Sequence, residues 1–123
     1  MENNQLKQLI DTSSRIILKV GSSLLINENN NDINYHWLKN FSKEIQSLTD
    51  KKKQIMIVSS GSVALGRKQL NLVKNLSLDE KQAAAAVGQI HLSHAWKEVL
   101  KSFNLESAQI LLAPDDTETR RKH

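Results

Sequence analysis

One pattern occurs twice in this chain and constrains its fold more than any other. A short β-rich apolar run ends abruptly in small residues that include a glycine. Arg15–Val20 (RIILKV) leads into Gly21-Ser22-Ser23, and Gln54–Ser59 (QIMIVS) leads into Ser60-Gly61-Ser62. Apolar, β-branched runs bounded by turn residues predict strands. The near-continuous apolar character of the second suits a parallel strand covered on both faces. Helical periods fill the rest. Leu38, Phe41, Ile45 and Leu48 recur at spacings of three and four, with Asn34 or Asp32 as a cap and Asp50–Lys53 as the charged close. Gly61–Leu70 predicts a second helix. A Ser77-x-x-Glu80 capping box opens a long third helix with a stripe through Ala84, Val87, His91, Ala95 and Val99, widened by Leu92, Trp96 and Leu100. Glu106–Leu112 predicts a third strand, ended by Ala113-Pro114. Residues 1–14 read as a tail or short helix, and Asn27–Asn34 as a polar loop. Strand, helix, strand, helix, helix, strand is the order of an α/β layered fold with a mostly parallel sheet. A length of 123 residues fits one domain.

Open α/β sheets bind ligands at the carboxyl ends of their strands, so both small-residue turns are candidate sites. At the first, Lys19 can meet phosphate oxygens, Gly21 lets a ligand approach the backbone, and Ser22 and Ser23 offer donors. Taken alone, Lys19 is better explained as a lysine near a strand end that points to solvent. At the second, Ser60 and Gly61 precede a helix whose free N–H groups suit a carboxylate or phosphate. A plain serine cap is the competing explanation. The overlapping GSVALGRK echoes a phosphate-binding P-loop and fails where it matters. Arg67 stands at the lysine position and Lys68 at the magnesium-binding hydroxyl. Gly88, inside QAAAAVGQ, favours close helix packing. His91 and His94 lack the partners of a metal site, and Asp115-Asp116 read as a loop or cap.

With no cysteines, disulfides, thiolate metal sites and cysteine nucleophiles are excluded. The net charge of +4 comes largely from Lys51–Lys53 and Arg120–Lys122, runs that read as solvated loops or tails. Aromatics at 4% give few stacking platforms for single strands, so nucleic-acid binding ranks last among the readings. No apolar run approaches the roughly 20 residues that cross a bilayer, and the N-terminus lacks a signal-like apolar stretch. A cytoplasmic protein is expected.

RIILKVGSSLL, IMIVSSGSVALGRKQL and KQAAAAVGQIHLSHAWKEVL occur in this order, and LLAPDDTETR follows. Together they resemble the glutamate 5-kinase family of the amino-acid kinase superfamily. The resemblance implies a three-layer αβα sandwich with a mostly parallel central sheet. It assigns residues 1–14 to an N-terminal tail and 15–123 to the N-terminal part of the kinase domain. It implies ATP with Mg²⁺ and phosphorylation of the L-glutamate side-chain carboxylate, the first step toward proline. Lys19 would contact the ATP phosphates and act catalytically, Gly21 and Ser22 would shape the phosphate-side turn, and Ser60 with Gly61 would bind glutamate. The family's domain continues further, so the chain reads as truncated or split, with little turnover alone. A second chain completing the domain, or a homo-oligomer, is the implied partner. A non-catalytic half-domain holding glutamate or a related anion is the alternative.

Overall fold

A computed structural model describes residues 2–73 and 75–112. In chain order the elements are α1 (Glu2–Thr12), β1 (Arg15–Val20), α2 (Ser22–Leu25), α3 (Tyr35–Asp50), β2 (Gln54–Ser59), α4 (Ser62–Gln69) and α5 (Leu78–Ser102). The two apolar runs form the expected strands and pair in parallel, with Arg15 opposite Gln54 and Val20 opposite Ser59. The architecture is thus α/β around a small parallel sheet, in keeping with the αβα layering implied by the resemblance. The segment read as a turn at Gly21-Ser22-Ser23 adds the one-turn helix α2.

The expected third strand at Glu106–Leu112 does not form. This stretch pairs with neither β1 nor β2, and Ile110, Leu111 and Leu112 are exposed. Its composition favours a strand, but strands require a ladder partner for their backbone groups. The Ala113-Pro114 terminator, Asp115-Asp116 and Arg120–Lys122 lie outside the described residues.

Side chains alternate across the sheet. Leu18, Val20, Ile55 and Ile57 turn inward and pack with α3 and α5. The opposite face behaves differently from the expectation of double coverage. Ile17 is 63% exposed, Met56 49% and Val58 48%. No described element covers them. Aromatic side chains join the two covering helices. Trp37 stacks on Phe41 at 4.8 Å between centroids, and Phe41 meets the edge of Trp96 at 5.8 Å. The Trp96 indole N–H donates to Ser59 Oγ at 3.0 Å, tying α5 to the end of β2.

The long helix starts where its capping box predicts, with both reciprocal bonds between Ser77 and Glu80 formed. Its buried stripe runs through Ala84, Gly88, Leu92, Ala95, Trp96, Val99 and Leu100. Val87 and His91, expected at its centre, are half-buried at its margin. The reason is α4. A Cβ on Gly88 would overlap the Ser62 carbonyl oxygen, and one on Gly66 would overlap the Ala84 carbonyl oxygen. The two helices therefore cross backbone to backbone at their glycines, which confirms the packing role expected of Gly88.

Helix α3 is capped by Asn34, whose side chain accepts from the Trp37 amide at 3.1 Å. It ends through Lys52, which takes a left-handed φ of 62°. The Lys53 amide then donates to Leu48 O at 3.2 Å, closing a Schellman motif. Lys53 Nζ donates to Asp11 O and Ser13 O, at 3.1 and 2.6 Å. Part of the lysine run is therefore helix-ending architecture. The asparagine-rich loop likewise satisfies itself. Asn27 Oδ1 accepts from the Asn29 amide and Asn30 Oδ1 from the Asp32 amide, while Ile26 and Ile33 bridge its base. No helix among the described residues is long and apolar enough to cross a membrane.

Candidate functional site

Parallel pairing brings the carboxyl ends of β1 and β2 to one end of the sheet, and both small-residue turns leave from there. Their junction is a direct bond. The Ser60 amide donates to Val20 O at 3.1 Å, and Ser60 Oγ approaches the same carbonyl at 3.4 Å. The ladder thus runs one residue past the strands and holds the turns edge to edge.

The second turn opens an open cleft of roughly 950 Å³ against α4 and the start of α5. Ser22, Ser60 and Gly61 all line it, so three of the five predicted site residues meet in one concavity. Lys19 does not line the cleft. It lies opposite Val58, on the open sheet face with Ile17 and Met56, one residue before the carbonyl that accepts from Ser60. It is exposed. Gly21 is not among the lining residues either, but it adjoins Ser22, which is.

The two turn glycines differ in what they do. Gly61 has φ +121° and precedes α4, and a Cβ there would sit 3.0 Å from Ile26 Cγ1. That residue is glycine for backbone and packing reasons. Gly21 has an extended φ of −76°, and a Cβ there would meet no atom within 4 Å. Neither conformation nor a neighbouring described residue requires glycine at position 21. The space above its backbone is open.

The segment that echoes a P-loop forms no phosphate-cradling loop: Ser62–Gln69 is helical, and Lys68 pairs with Asp32. His94 pairs instead with Glu98 on the exposed face of α5. Among the described residues no group of three or more His, Cys, Asp or Glu side chains could hold a metal ion. Sequence reasoning passed over two cleft residues, Arg67 and Lys81. In the sequence, Arg67 stands out only as the mismatch at the P-loop lysine position. Its spacing of four from Val63, on a helix that starts at a strand-end glycine, was the signal that places it on the cleft side.

Comparison with known proteins gives this geometry a setting. The sequence model of the amino acid kinase family matches residues 14–123. Among curated proteins, the chain is 43% identical over 111 residues to the glutamate 5-kinase of Paramagnetospirillum magneticum, covering 90% of this chain and 30% of that protein. It is 47% identical over 110 residues to a glutamate 5-kinase of Rhodopseudomonas palustris, covering 89% and 29%. With that of Ruegeria it shares 39% over 115 residues, covering 93% and 31%. The chain spans about three tenths of the length of these relatives. The family match takes in both strands, both turns and the α4–α5 pair that walls the cleft, and on that ground the chain belongs to the amino acid kinase family.

Proposed function

We propose that these two turns form part of the site of an ATP-dependent kinase acting on the side-chain carboxylate of L-glutamate. The product is γ-glutamyl phosphate. The observation that carries the reading is the bond from the Ser60 amide to the Val20 carbonyl, which sets the Gly21-Ser22-Ser23 turn beside the Ser60-Gly61-Ser62 turn. The relatives named glutamate 5-kinase support the choice of substrate.

In the reaction a γ-carboxylate oxygen bonds to the terminal phosphorus of ATP. The bond from that phosphorus to the β-bridging oxygen breaks, and ADP leaves with the electron pair. Phosphoryl transfer of this kind is catalysed mainly by positioning and charge stabilisation. Lys19 offsets negative charge on the transferring group. The open backbone at Gly21 and the hydroxyl of Ser22 receive phosphate oxygens, and Ser60 with Gly61 holds the glutamate. The described residues offer no metal-ligand cluster. Magnesium, which neutralises phosphate charge in such transfers, would be held through ATP, with Lys19 and the Gly21-Ser22 turn contributing to the same phosphates. The kinase domain begins near residue 15, with residues 1–14 outside it.

The test grafts residues 14–123 into the Rhodopseudomonas palustris glutamate 5-kinase in place of the stretch they match. Hydroxylamine traps the acyl phosphate. The graft is expected to be active, and Lys19→Ala to lower kcat by about 10²–10³. A folded graft without activity, or one indifferent to Lys19→Ala, overturns the reading.

A further inference from the structure

The cleft contains two cations that the reading above leaves without a task. Arg67 of α4 and Lys81 of α5 both line it, together with the Ser60-Gly61-Ser62 turn. Val63 and Arg67 are four apart and share one stripe of α4, and both line the cleft. Helical side chains lean toward the helix N-terminus. The stem of Arg67 is therefore biased back along that stripe, toward the turn that holds Ser60. Its neighbour Lys68 is exposed and engaged with Asp32, whereas Arg67 is half-buried. Among the described residues no carboxylate pairs with Arg67 or Lys81. A guanidinium in that position keeps its planar fork for a carboxylate that arrives with a ligand.

We propose that Arg67 is a specificity-determining residue that binds the α-carboxylate of the amino-acid substrate, with Lys81 adding positive charge. The inference rests on the proposed kinase reading and assigns the far end of the same substrate. With the reacting γ-carboxylate at the strand-end turns, the α-carboxylate extends along the Val63–Arg67 stripe. The cleft therefore takes an amino acid with both carboxylates free. An α-amide would leave the Arg67 fork without an anionic partner, the situation in which a polar site rejects an analogue most strongly.

The intact 123-residue chain is titrated calorimetrically with L-glutamate, with its α-amide and with its γ-amide. The unaltered chain is expected to bind glutamate about ten- to a hundredfold more tightly than the α-amide, as befits a charge-assisted bidentate pair. Arg67→Gln should bind the two alike, and Arg67→Lys should recover part of the preference. A general loosening of the fold would weaken both ligands together and leave their ratio unchanged. Equal affinity of the unaltered chain for glutamate and the α-amide overturns the inference without any variant. So does a folded Arg67→Gln chain that keeps the preference. If only the γ-amide is bound as tightly as glutamate, the phosphoryl-transfer reading loses support while the assignment of Arg67 stands. Failure to bind glutamate at all overturns both.

Discussion

The two faces of the sheet are built from the same residue types and end up in opposite circumstances. On one face, Leu18, Val20, Ile55 and Ile57 lie under α3 and α5. There, Trp96 is anchored to Ser59. On the other, Ile17, Met56 and Val58 are about as apolar and stay half to two-thirds exposed. Hydrophobicity alone did not decide which face was covered. What separates them is specific contact chemistry on one side: a capped entry for each long helix, an aromatic relay from Trp37 to Trp96, and the glycine crossing of α4 with α5. A strand's composition says that it can be buried, and the partners' interlocks say where.

The largest effect that would break this contrast is expected on the covered side. Gly88→Ala places a methyl group in the Ser62 carbonyl. Relieving it requires the α4–α5 pair to separate, and a loss of about 3 kcal/mol or more follows for overpacking against backbone. Thermal unfolding followed by circular dichroism reads it. A melt like that of the parent would show the crossing to be loose. A smaller change of opposite sign is expected at Ser42. This residue of α3 is fully buried, and its hydroxyl has no hydrogen-bond partner among the described residues. Ser42→Ala removes an unsatisfied group and is expected to stabilise by about 1 kcal/mol. A destabilisation there would reveal a partner for the hydroxyl. The smallest stability change belongs to the open face. Met56→Thr is expected to shift stability by no more than about 0.5 kcal/mol while reducing self-association in light scattering, because exposed apolar surface beside strand edges that no described residue pairs promotes contact between molecules. A loss comparable to a core truncation would mean that this face is covered.

Much of the fold could be read in the residues. The strands at 15–20 and 54–59, the Asn34 cap and the Ser77–Glu80 box were explicit, because each depends on local chemistry within a few residues. The failures were non-local. Glu106–Leu112 carries a strand's composition without a ladder, and composition cannot supply one. On α5 the expected positions Ala84, Leu92, Ala95, Trp96, Val99 and Leu100 are buried, and only Val87 and His91 give way to Gly88, which contributes no hydrophobic signal yet meets Ser62 backbone to backbone. At the site, Ser22, Ser60 and Gly61 were recognisable from strand-end turns. Arg67 was not, because its sequence context drew attention to a motif it does not complete. Its spacing of four from Val63 was the one local sign, and that sign acquires meaning only once α4 leaves the second turn along the cleft.

The glycine crossing also bears on how genetic data for this molecule would be interpreted. Gly88 is far along the chain from the Ser60 turn, and the carbonyl it abuts belongs to Ser62, a residue of the cleft wall. Any side chain at position 88 would shift that wall without coming near a ligand. A screen scoring growth alone would rank position 88 among the ligand-binding positions, and only a separate measure of folded protein would tell a displaced wall from a lost contact.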